Sequence, residues 1–152
     1  METTKKYGER ADLALSMWVK LARAFSTFNR LTGKDIAGYG LTQPQFGVLE
    51  ALGHLGPMKI GGFCEKTLAS GGNITVVVDN LERDGLVERV REGDDRRTIT
   101  VRLTKKGTDL FHDIFKKHAA FVSEISSVLT REEQRELSKL LKKLGTSLQK
   151  KM

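Results

Sequence analysis

The chain has 152 residues, 39% of them apolar and 30% charged, so it can bury a core and falls outside the disordered class. Lys and Arg outnumber Asp and Glu by 26 to 19, and the net charge of +7 points to an anionic partner, nucleic acid first and an anionic membrane surface second. The single cysteine, Cys64, excludes an intrachain disulfide or a multi-cysteine zinc site, and His54, His112 and His118 are too scattered to spell a metal site.

The opening METTKKYGER has no apolar signal segment and no later stretch approaches a membrane span, which predicts a soluble cytoplasmic protein without a membrane partner. Ala14, Trp18, Leu21, Phe25 and Phe28 then recur in steps of four and three, one apolar face of a helix over about 9–31. The glycine-rich run Thr32 to Gly40 reads as a loop. Thr42 is a good N-cap and Pro44 suits a first turn, so a second helix starts there, carries Phe46, Leu49 and Leu52, and ends within Gly53 to Pro57. A short helix from about Lys59 to Lys66 follows, anchored by Ile60 and Phe63.

The next stretch, LASGGNITVVVDNLERDGL, is β-branched enough to suggest a strand. Its pattern decides otherwise. A half-buried strand needs alternation, whereas a helix puts Ile74, Val77, Val78 and Leu81 at i, i+3, i+4 and i+7 on one face. Packing routinely overrides the few tenths of a kcal/mol by which each β-branched residue disfavours a helix. Ser70 is the candidate N-cap, with Gly71, Gly72 and Asn73 in the first turn. Two glycines cost roughly 1 kcal/mol each in a helix interior, so they point to close approach of the helix start to something bulky; the other reading is a flexible loop. That start also offers free N–H groups and the positive dipole end to a phosphate. Together with the preceding short helix it makes a helix-turn-helix whose second helix enters a DNA major groove by its N-terminal end. Asn73, Thr75 and Asn80 lie on the polar face, where Asn73 and Thr75 can reach base edges and Val76 can touch a thymine methyl.

Leu86 to Val90 and Ile99 to Leu103 are strand-like, the second with Ile99, Val101 and Leu103 on one face and Thr100 and Arg102 on the other. The polar REGDDRRT between them makes a hairpin. From Arg89 to Lys106 there are seven basic and three acidic residues, the pattern of a wing that lies along DNA and sends an arginine into the minor groove. Within GDDRRT one acid can hold one guanidinium while the other projects. Thr104 caps a helix with Leu110, Ile114, His118, Phe121, Ile125 and Val128 on a stripe. Thr130 and Glu133 form a capping box for a last helix faced by Leu137, Leu140, Leu141, Leu144 and Leu148. The fold class is therefore mainly α with a small β-hairpin wing. The long outer helices pack either within the chain or, as expected here, against a second copy.

SGGNITVVVDNLERDGLVERV followed by DDRRTITVRLTKKG resembles the MarR family of winged helix-turn-helix transcription regulators. The match rests on Leu81, Gly85-Leu86-Val87, Asp95-Arg96-Arg97, Val101-Arg102-Leu103-Thr104 and Gly107. The resemblance implies a winged helix-turn-helix lobe over 41–104 and dimerisation helices over 9–31 and 105–150. It further implies a homodimer on a pseudo-palindromic operator in double-stranded DNA, commonly repressing until a small ligand or oxidant binds. By that similarity Arg97 is the minor-groove arginine, Asp95 its partner, Arg96 their neighbour in the wing, and Ser70 to Val76 the groove-facing turn. An effector cavity in the family draws on the region of Trp18, Phe25, Phe46, His54 and His118, which suits an aromatic or amphipathic molecule.

Cys64 has two readings, a redox sensor or a small packing residue; the family's sensing cysteines generally lie in the first helix instead. No GxGxxG, P-loop, GxSxG or HExxH stands in the chain, so no catalytic residue, metal or cofactor is expected. A winged-helix module that binds protein instead of DNA is the alternative, disfavoured by the small polar tip Ser70, Asn73 and Thr75. Thr130 to Met152 holds seven basic and three acidic residues, either a solvated face or a flanking phosphate contact.

Overall fold

The computed structural model describes residues 6–66, 74–91 and 99–151, except for the side chains of residues 64–66. The chain divides into two compact units, Met1–His118 and Ala119–Met152. The first contains nearly all the secondary structure that surrounds the core. Its element order is α1 (Glu9–Gly38), α2 (Gln43–Leu55), β1 (Met58–Lys59), α3 (Ile60–Lys66), α4 (Ile74–Arg83), β2 (Val87–Arg91), β3 (Ile99–Leu103) and the first turns of α5 (Lys105–Ile125). The second holds the end of α5 and α6 (Arg131–Gln149). The architecture is thus mainly helical with a small antiparallel sheet.

Helix α1 runs through the segment expected to be a loop, ending at Gly38 rather than near residue 31. Packing supplies the reason. Ile36 is buried, Thr32 Oγ1 satisfies itself on the carbonyls of Phe28 and Asn29 at 3.1 Å, and Gln43 lies against Gly33. Gly40, at φ +75°, then turns the chain toward α2. At the start of α2 the Thr42 hydroxyl accepts from Gln45 N–H while the Gln45 side chain accepts from Thr42 N–H, a capping box. Phe46, Val48, Leu49, Ala51 and Leu52 of this helix form the middle of the core.

Before α3 the chain makes a two-residue strand, β1, which pairs Met58 with Val101 and Lys59 with Thr100. The sheet therefore has three strands in the order β1-β3-β2, where a two-stranded hairpin was expected. Two residues carry too little alternation to be seen as a strand before their partner is known. β2 starts one residue later than predicted because Leu86 belongs to the end of α4. There Gly85, at φ +73°, donates to Glu82 O and Leu86 donates to Leu81 O, and Leu81 and Leu86 are both buried. This is a Schellman ending with its apolar contact. On β3, Val101 is buried as expected, but Ile99 is about one-third exposed, at 36%, and Thr100 on the opposite face is buried too. β1 pairs Lys59 with Thr100, which makes β3 the central strand there and shelters Thr100.

Thr104 begins α5 by accepting from Gly107 N–H at 3.0 Å and donating to Gly85 O at 2.7 Å. Leu110, Phe111, Ile114 and Phe115 pack toward the first unit's core or beside it. In the second unit Phe121 and Ile125 are half-buried, whereas Val128 lies past the end of α5 in a turn and is exposed, so it does not extend the predicted stripe. Thr130 and Glu133 form the expected capping box of α6.

Candidate nucleic-acid interface

The segment Ile74–Arg83 is helical, as its apolar spacing predicts. Ile74, Val78 and Leu81 are buried and Val77 packs beside them, so the valines that suggested a strand anchor a helix instead. At 100° per residue, Val76, Asn80 and Arg83 fall on a stripe turned away from that anchor, while Thr75, Asp79 and Glu82 form the flank between the two. Val76 and Arg83 are exposed and Asn80 is half-buried. Thr75 is exposed on the flank. Ser70, Gly71, Gly72 and Asn73, the expected cap and first turn, lie outside the described residues, as do Asp95, Arg96 and Arg97 of the wing.

Arg89 of β2 reaches across to the flank of α4. Its Nη2 donates to Asp79 Oδ1 at 2.5 Å, its Nη1 donates to Glu82 Oε2, and its backbone N–H donates to Glu82 Oε1 at 3.0 Å. Burial disfavours the Arg89 charge, but the hydrogen bonds to Asp79 and Glu82 outweigh it and leave the group harder to deprotonate than usual. Two further contacts lie nearby, one across the hairpin and one from α5 to the end of α4. Arg102 of β3 pairs with Glu88 of β2 at 2.8 Å, and Lys106 Nζ donates to Asp84 O at 2.8 Å.

These pairs revise the charge count of the wing. Arg89, Arg102 and Lys105 find their acids at Asp79, Glu82, Glu88 and Asp109, all outside the window Arg89 to Lys106. Of these only Arg89 is enclosed, so it is the one cation of the three that the fold itself uses, while Arg102 and Lys105 stay exposed in weak surface pairs. Conversely, Arg83 was not singled out by sequence. The signal was present, since it stands seven residues after Val76 on the same stripe.

A second cluster lies between α1, α2 and the stretch of α5 from Phe111 to His118. The His118 ring is 4.6 Å from Phe46 centroid to centroid, His54 stands edge-on to Phe115 at 4.4 Å, and Phe111 and Phe115 are 5.3 Å apart. His118 Nδ1 is 2.6 Å from Asp35 Oδ2, and the Tyr39 hydroxyl donates to Asp35 Oδ1 at 3.0 Å. Burial, followed by the hydrogen bond to Asp35 and the charges of Asp35 and Asp113, raises the Tyr39 pKa to about 12. Of the residues proposed for an effector pocket, Phe46, His54 and His118 thus come together, with Phe111 and Phe115 added. Trp18 and Phe25 remain exposed on α1. Cys64 lies on α3, and its side chain is outside those described.

A MarR family model matches residues 39–98, from the end of α1 through β2. Over 132 residues the chain is 38% identical to the HTH-type transcriptional regulator MhqR of Bacillus subtilis (strain 168), covering 87% of this chain and 91% of that protein. Among solved structures it is similar to a MarR-like transcription regulator from Bacillus cereus ATCC 10987, with a TM-score of 0.75 at 25% identity over 89% of this chain and 97% of that one. It also shares the fold of a mutant MarR from E. coli complexed with operator DNA, with a TM-score of 0.74 at 22% identity over 90% of this chain and 99% of that one. Sequence identity across most of the chain and the helix-turn-helix with its wing lead to one assignment: the protein belongs to the MarR family of HTH-type transcriptional regulators, and it binds DNA rather than catalysing a reaction.

Proposed function

We propose that the protein acts in the cytoplasm as a homodimer that reads a pseudo-palindromic operator and represses transcription until a small ligand or an oxidant releases it. The observation that carries this reading is the setting of α4. Its apolar face is buried, its flank is held by Arg89, and the stripe turned away from the core carries exposed Val76 and Arg83 with Asn80 half-buried between them. In this reading residues 41–104 form the DNA-binding lobe. Ser70 to Val76 enter the major groove, and Arg97, partnered by Asp95, enters the minor groove. Residues 9–31 and 105–150 supply the dimer contacts. Exposed Leu13, Trp18 and Phe25 on α1 support a second copy as the partner, as do exposed Leu137, Leu140 and Leu148 on α6. In this reading an aromatic or amphipathic effector binds beside the cluster of Phe46, His54 and His118. Oxidation at Cys64 is the other route to release.

A mobility-shift titration on the DNA upstream of the protein's own coding sequence tests the reading. Wild-type binding is expected to weaken steeply as salt rises, because phosphate contacts release counterions. Arg97→Ala is expected to lose about 1–3 kcal/mol of binding free energy. Equal binding by the variant removes the wing from the mechanism.

A further inference from the structure

We infer that Arg89 is a positioning residue for DNA readout: by gripping Asp79 and Glu82 it sets the rotation of α4 about its own axis. The need for such a device follows from how α4 is otherwise held. Its buried anchor is Ile74, Val78 and Leu81, and apolar contact of that kind has little directional preference. A helix with side chains has an outer radius of about 5–6 Å, so a roll of only about 5° moves a side-chain tip about 0.5 Å. Hydrogen bonds to base edges tolerate only a few tenths of an ångström around ~2.9 Å. A roll that costs the core little would therefore destroy base readout.

The contacts of Arg89 are suited to preventing it. Asp79 and Glu82 are one turn apart on the same flank, and a planar guanidinium holds both at once while the Arg89 backbone N–H takes a second oxygen of Glu82. The side chain is 21% exposed, against 48% for Asp79 and 40% for Glu82, so the arginine is the more enclosed partner. Enclosed and with its charge balanced by two carboxylates, it is not placed to neutralise a phosphate. Arg89 thus belongs to the basic stretch of the wing by sequence but works on the recognition helix.

The inference rests on α4 as the base-reading helix, and the experiment separates the two. Wild-type protein first selects its preferred sites from a pool of random duplexes. Affinities are then measured for an enriched duplex and for a shuffled duplex of the same composition, over a range of salt concentrations. Arg89→Lys keeps the charge but cannot span both acids. It is expected to lower the ratio of specific to shuffled affinity by about tenfold. Its affinity for the shuffled duplex and its salt slope stay as in wild type. The double variant Asp79→Asn, Glu82→Gln leaves Arg89 in place and is expected to lower the same ratio by a similar factor, which guards against a folding defect peculiar to position 89. An unchanged ratio in either variant overturns the inference, as does an equal loss on both duplexes, which would indicate a stability or phosphate role. If wild type enriches no sequence at all, base reading by α4 itself fails.

Discussion

A methyl group on Gly107 would sit 1.9 Å from the carbonyl oxygen of Leu86, a backbone atom that already accepts from Thr104 N–H at 3.1 Å. Neither side can yield without disturbing the junction where α4 ends, β2 begins and α5 starts. Gly107→Ala is therefore expected to destabilise the protein by about 1–3 kcal/mol, at the upper end because the obstacle is backbone. Urea unfolding at constant m-value would show it. In sequence Gly107 was only a matching letter in a family pattern, since the atom that forbids a side chain there comes from a different element. Gly53 is a similar case, with its missing methyl replaced by the ring of Phe111. Val76 and Asn80 were legible as outward residues from spacing alone, and Arg83 obeys the same spacing. Arg89 was not legible, because its partners precede it by ten and seven residues in an element with a different period.

At the scale of elements, the features set by neighbours in sequence were readable. Thr42 caps α2 as expected and Thr130 with Glu133 forms the expected capping box of α6, while the reciprocal bond of Gln45 to Thr42 N–H, also three residues away, is added by the structure. The last turns of α1 were not readable, for they are stabilised by Ile36 in the core and by the chain Tyr39–Asp35–His118, which ties α1 to α5. That chain has a pH signature. Tyr39 holds its proton more tightly in the folded state, with its pKa raised from 10.0 to about 12. Its contribution is then complete below pH 10.0 and is lost as pH rises toward 12. Stability should fall across this window more steeply in wild type than in Tyr39→Phe, as measured by denaturant unfolding at successive pH values. Identical slopes would show that the hydroxyl does not couple α1 to the fold.

For the whole molecule, the feature that asks for an explanation is apolar surface. Trp18 is 61% exposed and Phe25 66%, on a stripe whose spacing is that of a buried helix face. A second copy is the proposed cover. The double substitution Trp18→Glu, Phe25→Glu is expected to shift the sedimenting species from dimer to monomer while leaving helical content unchanged. A variant that remains dimeric would place the interface elsewhere. On the proposed reading, in which one copy reads each half of a pseudo-palindrome, the same variant should bind operator DNA more weakly even with α4 and the wing intact.

By itself the sequence determined what depends on local period and local chemistry. This covers the helical state of Ile74–Arg83, the N-cap Thr42, the capping box of Thr130 and Glu133, the strands of the wing and the basic character that marks a DNA partner. Only the tertiary structure decided where α1 stops, that a two-residue strand completes the sheet, and which charges are spent inside the fold. The reason is range. Spacing and capping act over three to seven residues, whereas the acids that hold Arg89, the carbonyl that meets Gly107 and the histidine that meets Asp35 are brought close only by the packing of separate elements.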